Sequence, residues 1–199
     1  MPLTHYRPLT EPTLSPARGQ VQDVLIAQNG LFLYRQRPEF TAIVPRLWVP
    51  APGLPGVRAL GQGDPTFALH VPRVPAVLVR MMAVIGRQPD PFVETFFYLA
   101  WSEGEWQLHQ PPQQQTPGYV QPLGVEQGES PYQRAAIEVH THPDGCDQFS
   151  DQDTQSATGF RVFALITNLT TQPKWVVRVG NEGSFLPLAP SLIFTGVTP

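Results

Sequence analysis

Apolar and polar positions alternate along this chain in short bursts separated by long polar connections. Residues 23–34 read DVLIAQNGLFLY, two apolar runs flanking Asn29-Gly30. That pair suits a tight turn, so the stretch predicts a β-hairpin. Residues 39–49 predict a third strand. Val74, Val77, Leu78, Met81, Met82 and Ile85 recur at helical spacing, with Pro75 fitting a first turn. They predict a helix over 75–85, with Met81 and Met82 as core filler, ended by Gly86 and Pro89. Residues 92–101 are strongly apolar and aromatic and predict a strand. Glu103-Gly104 makes a turn, and residues 106–110 return as the partner. Further strands are expected at 135–142, 161–169 and 175–179, a short helix at 151–158 ended by Gly159, and an edge strand at 192–194.

Residues 50–65 and 111–131 lack periodicity and are expected as loops, the second long enough to act as a binding loop or lid. Strands and helices mix without a regular βαβ rhythm. That favours an α+β domain built on a mixed sheet over a doubly wound one. Residues 1–20 are polar and proline-rich and predict a poorly ordered arm. Residues 21–70 predict a β-hairpin extension, and 71–199 the main domain.

Composition narrows the class. The chain has 199 residues, 41% hydrophobic, with 24 prolines and a net charge of −3. That suffices for a core and gives no basic patch for nucleic acid. One cysteine excludes an intramolecular disulfide and a Cys-x-x-Cys metal site. The first residues lack an apolar signal core, and no run approaches the ~20 apolar residues of a membrane span. These features predict a soluble cytoplasmic protein.

The chemistry concentrates in HTHPDGCDQFSDQD, residues 140–153. Side chains on a strand alternate faces, so His140 and His142 point the same way and can take two corners of a tetrahedral zinc. Ser150 fits a helix N-cap with Asp153 at the third helical position, which can return its carboxylate as a third ligand. Three protein ligands and one open corner suit a catalytic zinc. Cys146 reads as an incidental small residue, and Asp144, Asp147 and Asp151 as solvated loop charges. His5, His70 and His109 read as ordinary histidines. A zinc nucleobase deaminase is excluded, because it needs a second cysteine motif downstream.

This stretch resembles the metal signature of the JAMM metalloproteases, also called the MPN or JAB domain, and most of all its prokaryotic JAB branch. The likeness runs over residues 70–194 and includes WQLHQPPQ, Gly159-Phe160-Arg161-Val162 and Arg178-Val179-Gly180. Thr141 stands where the family usually has serine, and Thr95-Phe96-Phe97-Tyr98 replaces its glycine-containing pattern. The resemblance implies a curved mixed β-sheet flanked by helices, similar to cytidine deaminases in architecture. It implies one zinc on His140, His142 and Asp153, Ser150 polarising the scissile carbonyl, and Glu94 as general base, 46 residues before His140. Glu138 is the rival base, because it shares a strand face with the histidines. The implied activity is hydrolysis of an amide bond at the C-terminus of a ubiquitin-like protein, with E1-like and E2-like enzymes as functional partners. The alternatives are a non-catalytic scaffold for such a protein and a small-peptide zinc peptidase of a sulfur-carrier pathway.

Overall fold

The computed structural model describes residues 4–10, 22–49, 60–87, 91–124 and 131–197. The chain divides into two compact units. One takes Met1–Val71, Thr158–Phe160 and Val179–Leu186, and the other takes Pro72–Ala157, Arg161–Arg178 and Pro187–Pro199.

In the first unit, β1 (Thr4–Pro8), β2 (Gln22–Ala27), β3 (Gly30–Gln36), β4 (Phe40–Trp48) and β5 (Thr66–Leu69) form a five-stranded sheet in that order. The predicted hairpin is β2–β3, but Gly30 already pairs with Ala27, so the turn residues are Gln28 and Asn29. Gly30 is required for another reason. Its φ is +145°, and a Cβ there would sit 2.0 Å from the Leu47 carbonyl oxygen. Residues 4–8, expected in the unordered arm, are instead strand β1, parallel to β2, with Arg7 bonded to buried Asp23 at 2.7 Å. Residues 1–3, 11–20 and 50–59 lie outside the described residues.

A six-stranded sheet carries both candidate ligand histidines at or beside one of its strands. Its strands are β6 (Phe96–Ser102), β7 (Glu105–His109), β10 (Ile137–Thr141), β11 (Phe160–Thr167), β12 (Lys174–Asn181) and β13 (Ser184–Leu188). Their order is β13-β12-β11-β10-β6-β7. The sheet is mixed, because β10 runs parallel to β11 and antiparallel to β6. A separate hairpin joins β8 (Gln113–Thr116) to β9 (Tyr119–Pro122), and the helices are α1 (Ala76–Arg87) and α2 (Asp151–Ser156). The molecule thus combines α and β structure with sheet predominant, as the mixed pattern predicts.

Strand β10 is central and its residues alternate faces. Ile137, Val139 and Thr141 share one face, while Glu138 and His140 share the other. Helix α1 closes on the first face at Gly86, where a Cβ would lie 2.6 Å from Thr141 Cγ2. Gly86 therefore sits within the helix rather than ending it, because only hydrogen fits against the sheet. Pro89 lies outside the described residues. The helix buries Val79, Met82 and Gly86. The predicted stripe is correct for Met82 but not for Met81 and Val77, which are 45% and 52% exposed. The close approach at Gly86 sets the helix phase, and it turns those two outward.

Three further expectations shift. Strand β6 begins at Phe96, so Glu94 precedes it. The expected loop at 111–131 contains β8 and β9, polar strands without apolar alternation, and residues 125–130 lie outside the described residues. Residues 192–194 form no edge strand. Pro190–Leu192 is a 3-10 turn, and Phe194 makes a single bridge to Val74 and packs against Trp175 with ring centroids 4.6 Å apart, tilted by 44°. Aromatic packing and two backbone bonds to Val74 anchor this end. Among the described residues no helix is long and apolar enough to cross a membrane.

Candidate metal centre

Strand β10 delivers both histidines. The Thr141 N–H donates to Thr95 O at 3.0 Å, and the His142 N–H donates to Ile166 O at 2.8 Å. His142 is thus one residue past the strand yet still pinned to the sheet. The following turn is braced from below, where Thr167 Oγ1 donates to Pro143 O and the Gly145 N–H to Asn168 Oδ1.

Helix α2 is only six residues, DQDTQS, and buries none of them. Such a helix is marginal by itself. A capping box holds its start. Asp153 N–H donates to Ser150 Oγ at 3.1 Å, and Ser150 N–H donates to Asp153 Oδ2 at 2.6 Å. The Ser150 hydroxyl donates to the same oxygen at 2.7 Å. The cap therefore also aims the carboxylate.

Asp153 Oδ1 lies 3.3 Å from His140 Nε2, and Oδ2 lies 3.2 Å from His142 Nε2. The two imidazole Nε2 atoms are 3.1 Å apart. One ligand atom from each of the three residues falls within 4.8 Å of the others, a group that could hold a metal ion. His142 Nδ1 is 3.3 Å from the Cys146 carbonyl oxygen. A carbonyl only accepts, so Nδ1 carries the hydrogen and Nε2 presents a lone pair to the cluster.

Glu94 faces the same histidine. It is 4% exposed, with Oε1 3.9 Å from His142 Nε2. Burial pushes its pKa up to about 7 from the ordinary 4.5, while His142 pulls it down and Asp153 pushes it further up. Asp153 goes the other way. Burial raises it, but hydrogen bonds and charge from both imidazoles, with the Ser150 hydroxyl, hold it well below the usual carboxylate range. For His142, burial acts downward, and the opposing pull of Asp153 and Glu94 leaves it above its ordinary value.

Glu138, the rival base, is occupied elsewhere. It accepts from Tyr132 Oη at 2.9 Å and pairs with Arg161, whose guanidinium lies 4.2 Å over the Tyr132 ring. Its charge is already compensated. Cys146 is exposed and serves the cluster only through its backbone. Asp147 pairs with Lys174 and Asp144 with Thr170.

Two hollows flank the cluster. A cleft of about 640 Å³ is lined by Glu94, Tyr119, His142, Phe149, Ser150 and Asp153 among others. A smaller cavity of about 160 Å³ lies against Phe96, Tyr132, Glu138, His140 and Arg178. Tyr119, Phe149 and Asp153 line both.

No family model and no curated protein matches this chain.

The site's content comes from its geometry. His140, His142 and Asp153 converge as the spacing predicts, and Glu94 joins them from outside its expected strand. Ser150 is present, with its hydroxyl directed at Asp153. Sequence reasoning missed Phe149 and Arg178 as a pair. The guanidinium stacks 3.8 Å over the ring, and Arg178 Nη1 donates to Thr154 Oγ1 at 3.1 Å, which ties β12 to α2. Burial pulls the Arg178 pKa down to about 10, against the attraction of Asp153. The two residues are 29 positions apart, and no local pattern joins them.

Proposed function

We propose that the protein is a zinc-dependent peptidase of the JAMM/MPN type. Its reaction is hydrolysis of an amide bond at the C-terminus of a ubiquitin-like protein, in a conjugate or a precursor. One observation carries the metal part of this reading, the convergence of the three ligand side chains, while the substrate class rests on the sequence resemblance. Tetrahedral bonds of about 2.0–2.1 Å give ligand-to-ligand edges of roughly 3.3–3.4 Å. Here the two Nε2 atoms are 3.1 Å apart, and Asp153 meets them with different oxygens, Oδ2 at 3.2 Å from His142 and Oδ1 at 3.3 Å from His140, so that one ligand atom from each residue falls within 4.8 Å of the other two. Three electron-rich groups so close favour a positive charge at their centre. Two imidazoles and a carboxylate suit zinc, and three protein ligands leave a fourth position for chemistry.

When bound, zinc supplies Lewis acidity and lowers the pKa of water to about 7. The chain's own residues do the rest. Glu94 takes a proton at Oε1 from the attacking water and returns it to the leaving amine. In the metal-free chain burial pushes this carboxyl up to about 7, and a bound zinc would draw it down towards the ionised form a base needs. The Ser150 hydroxyl lines the cleft, and rotating it away from Asp153 is the step its role as carbonyl donor requires. The cleft takes an extended substrate tail beneath Tyr119 of β9. E1-like and E2-like enzymes are the functional partners that this substrate class implies.

The test is cleavage of a ubiquitin-like protein carrying a C-terminal extension. Zinc-loaded protein should release the extension, a chelator should stop it, and zinc should restore it. Glu94→Gln should lower kcat by about 10²–10⁴-fold while zinc stays bound. Cleavage that survives both chelation and Glu94→Gln would sink the proposal, as would failure to cut any fusion or short peptide.

A further inference from the structure

The run Gln113-Gln114-Gln115 is a feature the metal centre itself does not use. It lies on β8, where side chains alternate: Gln113 and Gln115 are half-buried and Gln114 is exposed. The two inward glutamines reach the segment that carries Glu94. That segment, residues 94–96, leads into β6, which begins at Phe96, and is buried, with Thr95 only 1% exposed.

Its backbone is held from two sides. On the β10 side, the Thr95 N–H donates to Thr141 Oγ1 at 2.8 Å, and Thr95 O accepts from the Thr141 N–H. On the hairpin side, the Glu94 N–H donates to Thr116 O at 2.9 Å. Gln115 Nε2 donates to Glu94 O at 2.7 Å and to Thr95 Oγ1 at 3.2 Å. The Phe96 N–H donates to Gln113 Oε1 at 2.7 Å. Side-chain amides thus add to the backbone bonds that this segment makes on each side. Gln115 and Thr116 grip Glu94 at its carbonyl and its N–H, which fixes where its side chain leaves the chain. The other strand of the hairpin carries Tyr119, which lines the cleft.

We propose that Gln115 is a positioning residue for Glu94, and that the β8–β9 hairpin is a strap coupling the cleft to the alignment of the base. This rests on Glu94 being the general base. An ill-placed base lowers kcat without weakening substrate or metal binding, because Gln115 lines neither hollow and is outside the ligand group.

The experiment uses the full chain with Gln115→Ala, with Gln115→Glu, which keeps the shape but cannot donate to a carbonyl, and with Gln114→Ala as the control. In metal-free protein, amide exchange at Glu94 should accelerate about tenfold in both Gln115 variants and not in the control. On a cleavable fusion, kcat should fall on the order of 10–100-fold, with KM and zinc affinity within about twofold. In a Glu94→Gln background, Gln115→Ala should add nothing further. Unchanged kcat despite faster exchange overturns the proposal, and so does unchanged exchange, or kcat and zinc affinity falling together. If the wild-type chain cuts no substrate, the peptidase reading fails, but the Co²⁺-loaded form still decides this one. Gln115→Glu should change its visible absorption when Glu94 is present and not in Glu94→Gln. Identical changes in both backgrounds overturn it.

Discussion

Asp153, half-buried, and Glu94, buried, are two carboxylates that approach the same imidazole, and their surroundings drive them in opposite directions. Asp153 is gripped by two imidazoles and a serine, and it stays ionised far below its usual range. Glu94 is buried with a single imidazole 3.9 Å away, and burial raises its pKa to about 7. Under the proposed function such separated values would divide the tasks, the permanent anion holding a cation and the titrating one moving protons. Asp153 has more partners and Glu94 is the deeper of the two, so partner count and depth act together.

The two differ equally in how they are held. Asp153 is fixed by Ser150, three residues away, through a capping box. Glu94 is fixed by Thr116 and Gln115 on a hairpin more than 20 residues on, with its neighbour Thr95 held by Thr141. One arrangement is local and the other assembled by the fold.

The largest effect that sharpens this contrast is on stability against pH. In metal-free protein the folded chain keeps the Glu94 proton up to about pH 7, whereas the unfolded chain loses it near 4.5. Between those values the folded state holds more protons, so this group makes stability fall as pH rises. Asp153 has the opposite sign, because its folded pKa is lowered. Its contribution is present above the ordinary value of 3.8 and is lost as pH falls below it. Glu94→Gln should therefore stabilise the metal-free protein by about 1–3 kcal/mol at pH 8 and little at pH 4. Thermal melts at the two values check it. Equal gains at both would mean that Glu94 is not held protonated by its surroundings.

A smaller effect separates the two carboxylates mechanically. Gly86→Ala would press a methyl onto Thr141, whose hydroxyl accepts from Thr95 beside Glu94. Overpacking costs about 1–3 kcal/mol, offset by up to about 1 from better helix propensity, so a net loss of about 1–2 kcal/mol is expected in denaturant titrations. Zinc affinity should change less than kcat, because Asp153 is anchored from the other side of β10. An unchanged stability would show that α1 can slide away.

What the sequence reveals follows the same division. His140, His142, Ser150 and Asp153 are legible because strand alternation and a helix cap act over two or three residues. The hairpin at β2–β3 and the strands at β10, β11 and β12 are legible for the same reason. The β8–β9 hairpin was not, because Gln113, Gln115 and Thr116 are polar and their partners lie at residues 94–96. The phase of α1 was misread because Gly86, silent in any hydrophobic pattern, decides which face meets the sheet. Arg178 on Phe149 and Glu138 on Arg161 are tertiary pairs that no spacing announces.

The measurement that bears most directly on the account is zinc titration of purified protein, followed by metal content per chain. One zinc per chain is expected, lost in His140→Ala, His142→Ala and Asp153→Ala and retained in Glu94→Gln. Absence of tight zinc binding in the wild-type chain, or binding that survives loss of His140 and Asp153, would contradict it.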